Sequence, residues 1–322
     1  MRFWTAIVLC FGLCAHASSQ ESAAQPGPAL PGSVIAKLAS GIESVESVVS
    51  NTWVVEWLSQ VRRLPPVESR TELVNNREVV IDEAMFYFAR YGSPLSYARA
   101  LDLASSAGFE GKPGSRVFDF GYGSIGHLRM LALSGHTVTG VDVAPFLQAM
   151  YRDASGKLDS GTVSVLHGRF PKDQDLVDRV GDQYDLVMSK NVLKRGYIHP
   201  AREVSDPRMT IDLGVEDDVF LAKIASMLKP GGVFVIYNFC PAKAADDQPY
   251  IPWADGESPF SRDAFQKAGF EVIHFDVNDD AEARRMGSAL GWDGPGGMNL
   301  EADLFAWYTV VRKKADSTTV KP

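Results

Sequence analysis

Cysteine is scarce in this chain. Its 322 residues include three, of which Cys10 and Cys14 fall in the N-terminal leader, leaving Cys240 alone in the remainder. One thiol cannot form an internal disulfide or a cysteine-based metal site. Its expected place is a buried position near the end of a strand. Positive charge is also short: 32 Lys and Arg stand against 40 Asp and Glu, a formal net charge of -8, with no dense basic run. That balance argues against a general nucleic-acid binder, which needs a basic surface for phosphates. The stretch 189–200 carries no acidic cluster that could hold a metal ion, and no metal is predicted. Internal repeats are absent.

The apolar run 3–13 behind Arg2 has signal-peptide length, too short to cross a bilayer comfortably. Ala15-His16-Ala17 reads as an A-x-A cleavage site, so residues 1–17 form a predicted signal peptide and the expected destination is export, periplasmic or secreted. An uncleaved N-terminal anchor is the alternative; a lipoprotein is disfavoured because Leu13 before Cys14 is bulky. After signal removal no stable membrane insertion is expected. Residues 18–32, rich in Ser, Ala, Gln, Gly and Pro, read as a flexible linker. Residues 33–112 read as a helical extension: two amphipathic helices ended by Pro65-Pro66, then helices over 77–91 and 94–107. Residues 315–322 read as a disordered tail.

From residue 116 the pattern alternates. Strands are predicted at 116–120, 137–142, 162–167, 184–189 and 233–238, with helices near 126–134, 145–154, 173–180 and 215–228. A further helix at 261–268, a strand at 270–277, a helix at 281–290 and a strand at 304–312 follow. Alternation of this kind predicts an α/β fold, a doubly wound Rossmann-like sheet, mostly parallel and seven-stranded, with helices on both faces over residues 113–314.

The strongest local signal is Val117-Phe118-Asp119-Phe120-Gly121-Tyr122-Gly123-Ser124-Ile125-Gly126. A buried strand enters a glycine turn that opens a helix, so a ligand can approach the backbone closely. Asp142 ends the second strand about 20 residues on, where an acid holds ribose hydroxyls. Both features suit a nicotinamide or flavin nucleotide as well. Three others separate the classes. Asp119 suits a cationic amino-acid ligand and is awkward beside a pyrophosphate. Leu228-Lys229-Pro230-Gly231-Gly232 precedes the fifth strand, and Phe265 to Val272 carries a helix, a glycine stop and a late strand.

With these motifs the chain resembles the class I methyltransferases that use S-adenosylmethionine, over residues 114 to about 313. The resemblance implies that Asp119, Gly121, Tyr122, Gly123 and Gly126 hold the methionine end of the cofactor. It places the ribose on Asp142 and the adenine beside Val143, with Arg169 and Ser189 as further cofactor contacts. It also implies an antiparallel, hairpin-like pair of final strands. The chain departs from the pattern where Ile125 stands at the usual third glycine and where His167-Gly168-Arg169 replaces Gly-Asp.

Ligands in such sheets sit beyond the carboxyl ends of the strands. The loop after the fourth strand concentrates Lys190, Lys194, Arg195 and His199. Lys190, Asn191 and Arg195, with Asn238, Tyr250 and Trp253 after the fifth strand, are expected to bind a small, anionic acceptor. His199, Lys194 and Tyr237 are the candidate catalytic residues, His199 as general base. Each basic residue has a plainer reading as a solvated turn. A nicotinamide-dependent oxidoreductase and a non-catalytic S-adenosylmethionine-binding protein remain the alternatives, and oligomeric state is not legible.

Overall fold

The computed structural model describes residues 34–74, 76–89 and 92–315. The expected signal peptide and linker lie outside the described residues, as does the tail beyond residue 315.

Among the described residues three short helices come first: α1 (Val34–Ser40), α2 (Ile42–Glu46) and α3 (Thr52–Ser59), the last continuing into a 3-10 turn at Gln60–Arg63. They replace the two longer helices expected. Their apolar residues (Leu38, Ile42, Val45, Val54, Trp57) are buried in the same core cluster as Leu128 and Leu131 of the main domain. The extension is not wholly helical. Strands β1 (Arg70–Val74) and β2 (Arg77–Ile81) form an antiparallel hairpin, and only then comes helix α4 (Glu83–Phe88). The helix expected over 77–91 therefore fails at its start. Val79-Val80-Ile81 is a β-branched run that loses side-chain freedom in a helix, and Asp82 caps α4 by accepting from the Met85 amide at 2.7 Å. A 3-10 turn at Pro94–Tyr97 leads into α5 (Ala98–Ser106).

The main domain runs β3 (Arg116–Phe120), α6 (Gly126–Leu133), β4 (Thr137–Asp142), α7 (Pro145–Met150), β5 (Gly156–Leu158), β6 (Gly161–His167), α8 (Gln174–Val180), β7 (Tyr184–Lys190), α9 (Arg195–Ile198), α10 (Asp217–Met227), β8 (Leu228–Cys240), α11 (Arg262–Lys267), β9 (Phe270–Asn278), α12 (Asp280–Ala289), α13 (Leu300–Asp303) and β10 (Phe305–Lys313). The sheet order is β5-β6-β4-β3-β7-β8-β10-β9. It has eight strands where seven were expected, because β5 adds an antiparallel edge beside β6. β6, β4, β3, β7 and β8 are parallel, whereas β10 lies antiparallel between β8 and β9. The result is an α/β, Rossmann-like fold with a mostly parallel sheet. The doubly wound dinucleotide fold runs 3-2-1-4-5-6; here an antiparallel strand is inserted between the fifth and sixth places. The order reverses between β3 and β7, which puts the crevice at their carboxyl ends.

Two apolar layers cover the sheet. One faces α3, α5 and α6; the other, rich in Phe118, Phe170, Phe220, Phe234 and Phe265, faces α8, α10 and α11. A buried ion network ties the extension to the late strands. Arg99 donates to both oxygens of Asp279 at 2.9 and 2.7 Å. Asp102 accepts from the amides of Ser50 and Asn51, both at 2.9 Å. Among the described residues no helix is long and apolar enough to cross a membrane.

Candidate functional site

A cavity of about 250 Å³ opens at the carboxyl ends of β3, β4 and β6. Phe120, Gly121, Val141, Asp142, Val143, Gly168, Arg169, Phe170 and Val192 line it, and Thr210, Ile211, Asp212 and Leu213, from the segment before α10, cover it. The walls are mostly apolar, with Asp142 at the tip of β4 and the exposed Arg169 at the end of β6.

The glycine turn makes this shape possible. Gly121 and Gly123 adopt φ of +77° and +59°, the left-handed region that glycine enters without penalty. A Cβ on Gly121 would lie 2.4 Å from Cγ2 of Val192, so the turn closes on the loop after β7. Asp142 holds the turn from the other side: Oδ2 accepts from the Gly123 amide at 3.1 Å and Oδ1 from the Ala144 amide at 2.9 Å. Burial raises the pKa of Asp142, with nearby Asp119 adding to the effect, against the backbone N–H groups that favour its charge.

Asp119 does not line the cavity. It is fully buried, and its Oδ2 lies 2.5 Å from Nε2 of His127, itself fully buried. Tyr97 stacks on the His127 ring with centroids 3.5 Å apart and 7° between planes. Burial lowers the His127 pKa, Asp119 opposes that, and Lys190 reinforces it. Lys190, 7% exposed, holds its ammonium 5.0 Å from the Tyr97 ring centroid and 4.8 Å from that of Phe239. Sequence reasoning missed both Tyr97 and His127. His127 lay in a helix near 126–134 and Tyr97 in a helix of the extension, and neither was singled out.

Gly121, Asp142, Val143 and Arg169 thus come together on one cavity. Several other expected site residues stand elsewhere. The Tyr122 ring is buried in the core near Tyr151, away from the cavity. Gly126 answers a packing need, since a Cβ there would lie 2.8 Å from Pro94. Ser189 donates to the Phe120 carbonyl at 3.0 Å, pinning β7 to β3.

The three candidate catalytic residues all make contacts within the protein, and none lines the first cavity. Lys194 is fully buried and donates to the carbonyls of Phe239 at 2.5 Å and Trp253 at 3.2 Å, a clamp between loops. His199 has a side chain 50% exposed and pairs with Asp217 at 2.9 Å on the surface. Tyr237 is buried under the sheet and donates to Asp279 at 3.1 Å; burial, then Asp279, pushes its pKa well up.

The expected acceptor residues form a brace. The side-chain amide of Asn238 donates to the carbonyls of Leu193 and Gly256, and its oxygen accepts from the Asn191 amide. Asn191 accepts in return from the Phe239 amide at 2.7 Å. Arg195 grips Asp255 through Nε and Nη2 at 2.9 and 2.8 Å, and Tyr250 donates to the same carboxylate at 2.8 Å. Trp253 contributes the backbone carbonyl that Lys194 uses. Arg195 and Tyr250 border a second cavity of about 240 Å³, separate in its lining from the first.

No protein-family model matches the sequence, and no curated protein does. Among solved structures, an S-adenosylmethionine-dependent methyltransferase from Mesorhizobium loti superposes with a TM-score of 0.40 at 18% identity, covering 68% of this chain and 98% of that one. A cyclopropane synthase from Mycobacterium tuberculosis gives 0.41 at 12% identity, with 68% and 85% covered. The cyclase SpnF gives 0.39 at 15% identity, with 89% and 98% covered. Likeness at that level carries nothing about the chemistry of this chain, which rests on its own geometry.

That geometry suits part of an S-adenosyl cofactor. Small-molecule sites span roughly 300–1,000 Å³, so a cavity of about 250 Å³ takes a nucleoside-sized group. Apolar walls at Val143 and Phe170 suit a flat base, and the Asp142 carboxylate suits ribose hydroxyls. Asp119 and Lys190 are buried and do not line the cavity.

Proposed function

We propose that the chain binds S-adenosylmethionine through its nucleoside end and transfers the methyl group to a small acceptor at oxygen or nitrogen. The observation that carries this reading is Asp142. It lies on the wall of an apolar cavity beside a glycine hinge, at the carboxyl tip of β4, next to β3 where the strand order reverses. When bound, the sulfonium supplies an already activated methyl. The protein then needs to position the partners and exclude water, and a base triad is unnecessary. Asp142 holds the ribose, Val143 and Phe170 face the base, and the 210–213 cover shields the cavity.

The anionic character expected of the acceptor loses its support, because Lys194 and Arg195 are already engaged by protein groups. An oxidoreductase is the weaker reading, since the antiparallel β10 breaks the dinucleotide strand order. The leader (Arg2, the run 3–13, Ala15-His16-Ala17) supports an exported enzyme, and fractionation of a C-terminally tagged chain tests it.

Calorimetric titration of the whole chain with S-adenosylhomocysteine and with NAD tests the cofactor. Saturable binding of the first alone is expected; binding of NAD alone defeats the proposal. Methyl release over a panel of acceptors then separates an enzyme from a silent binder.

A further inference from the structure

We infer that Arg169 reads the base of the bound nucleoside and opens the site to a 6-oxopurine, so that an inosyl ligand binds about as well as an adenosyl one. This rests on the cofactor reading above and concerns the base end of the same cavity.

Sheet order fixes which end that is. β4 stands between β3 and β6, so a ribose on Asp142 has the glycine hinge on one side and the end of β6 on the other. Phe120 and Gly121 wall the β3 side. The base therefore lies toward β6, where Gly168, Arg169 and Phe170 line the cavity.

The turn after β6 has a fixed backbone and a free head. The Gly168 amide donates to the Asp142 carbonyl at 3.1 Å. The Arg169 amide donates to Oδ2 of Asp173 at 2.7 Å, and its carbonyl accepts from the Asp173 amide at 2.8 Å. Both backbone groups of Arg169 are thus engaged. The residue is exposed, and among the described residues no hydrogen bond, ion pair or ring contact engages its guanidinium. Asp142 and Asp212 line the same cavity, and neither takes it in an ion pair. Arg195 and Arg202 at the second cavity differ, since protein oxygens hold both.

A guanidinium carries donors only, set in a planar fork. The edge of a 6-oxopurine offers two acceptors, O6 and N7, and takes both prongs. Adenine offers N7 beside an amine that is itself a donor, so one prong goes unmet. Asp212, exposed on the cover, brings an acceptor to the same cavity, and its Oδ1 takes the Gly214 amide at 2.7 Å. A carboxylate suits the adenine amine and the N1–H of a 6-oxopurine alike. The difference between the two bases falls on Arg169.

Calorimetry on the full chain compares S-adenosylhomocysteine with S-inosylhomocysteine, its counterpart with a carbonyl in place of the base amine. The wild type is expected to bind the inosyl ligand no more than about fivefold more weakly than the adenosyl one. In Arg169→Leu the inosyl-to-adenosyl affinity ratio is expected to fall about fivefold or more, since a bidentate pair is lost from one base only. Arg169→Lys keeps the charge without the fork and is expected to behave as Arg169→Leu does. A wild type that binds the inosyl ligand more than about fivefold more weakly overturns the inference, and so does a ratio that falls by less than that in either variant. Arg169 is exposed and its side chain braces no other element, and the wild-type comparison needs no variant. If S-adenosylhomocysteine does not bind, the cofactor reading falls and this inference with it; if it binds and the inosyl ligand does not, this inference alone falls.

Discussion

Replacing Asp142 by Asn keeps the shape of the side chain and removes one acceptor oxygen. In the folded chain the two oxygens serve the Gly123 and Ala144 amides. One amide must lose its partner, at about 1–3 kcal/mol if no water reaches it. Asp142 is only half-buried, and its charge is already disfavoured by burial, so the lower end of that range applies. At about 2–4 °C per kcal/mol, the melting temperature should fall by only a few degrees. Ligand binding should suffer more. Hydrogen bonds from ribose hydroxyls to a charged acceptor contribute about 1.5–3 kcal/mol, so S-adenosylhomocysteine should bind roughly 10–150-fold more weakly. Thermal melts without ligand and calorimetry with it separate the two effects. The pH dependence carries a sign. Because the folded pKa of Asp142 is raised, its contribution to stability is full below the unfolded value and is lost as pH rises through the folded value. Binding runs the other way, weakening as pH falls and the carboxylate takes a proton. A dissociation constant within about threefold of wild type, with the small loss of melting temperature intact, would show that Asp142 merely holds the turn.

Other expectations follow from buried charge. Arg99→Ala removes the cationic partner of Asp279, which keeps the Tyr237 hydroxyl, and should cost about 3–5 kcal/mol in urea unfolding while leaving nucleoside affinity unchanged; a loss under about 1 kcal/mol would mean that the extension is not held by this pair. Lys194→Met removes the donor for two buried carbonyls and should cost about 1–3 kcal/mol. If instead it abolished methyl transfer at unchanged stability, the clamp assignment would be wrong. Burial raises the Asp255 pKa, but hydrogen bonds from Arg195 and Tyr250 outweigh it and the net shift is downward. Its stabilisation is therefore present above the ordinary carboxylate pKa, about 3.9, and lost as pH falls through the folded value. Acid titrations of wild type and Asp255→Asn should converge at the acid end; parallel curves throughout would refute the linkage.

Along the main domain, strands and hinge were legible because their causes are local. Val117 to Phe120 is a strand, apolar but for Asp119, before a glycine turn, and glycine adopts the φ of Gly121 and Gly123 without penalty. Asp142 was legible because a strand tip two elements on must sit beside that turn in any parallel sheet. The β1–β2 hairpin was not, since Val79 to Ile81 fits a helical stripe as well as a strand once neighbours are ignored. Nor was β5, whose three residues are too few for a period.

By itself the sequence determined the α/β alternation, the glycine hinge and the acid at the second strand's tip, because backbone sterics and apolar periodicity act between residues close in the chain. Only the tertiary structure decided the fate of the charges. Lys194 is spent on a carbonyl 45 residues away, and Arg195 on a carboxylate 60 residues away. Asp119 pairs with a buried His127, on which a tyrosine from the extension stacks. A charged side chain in a loop reads the same whether it meets a ligand, water or another loop, and what it meets is set by long-range packing.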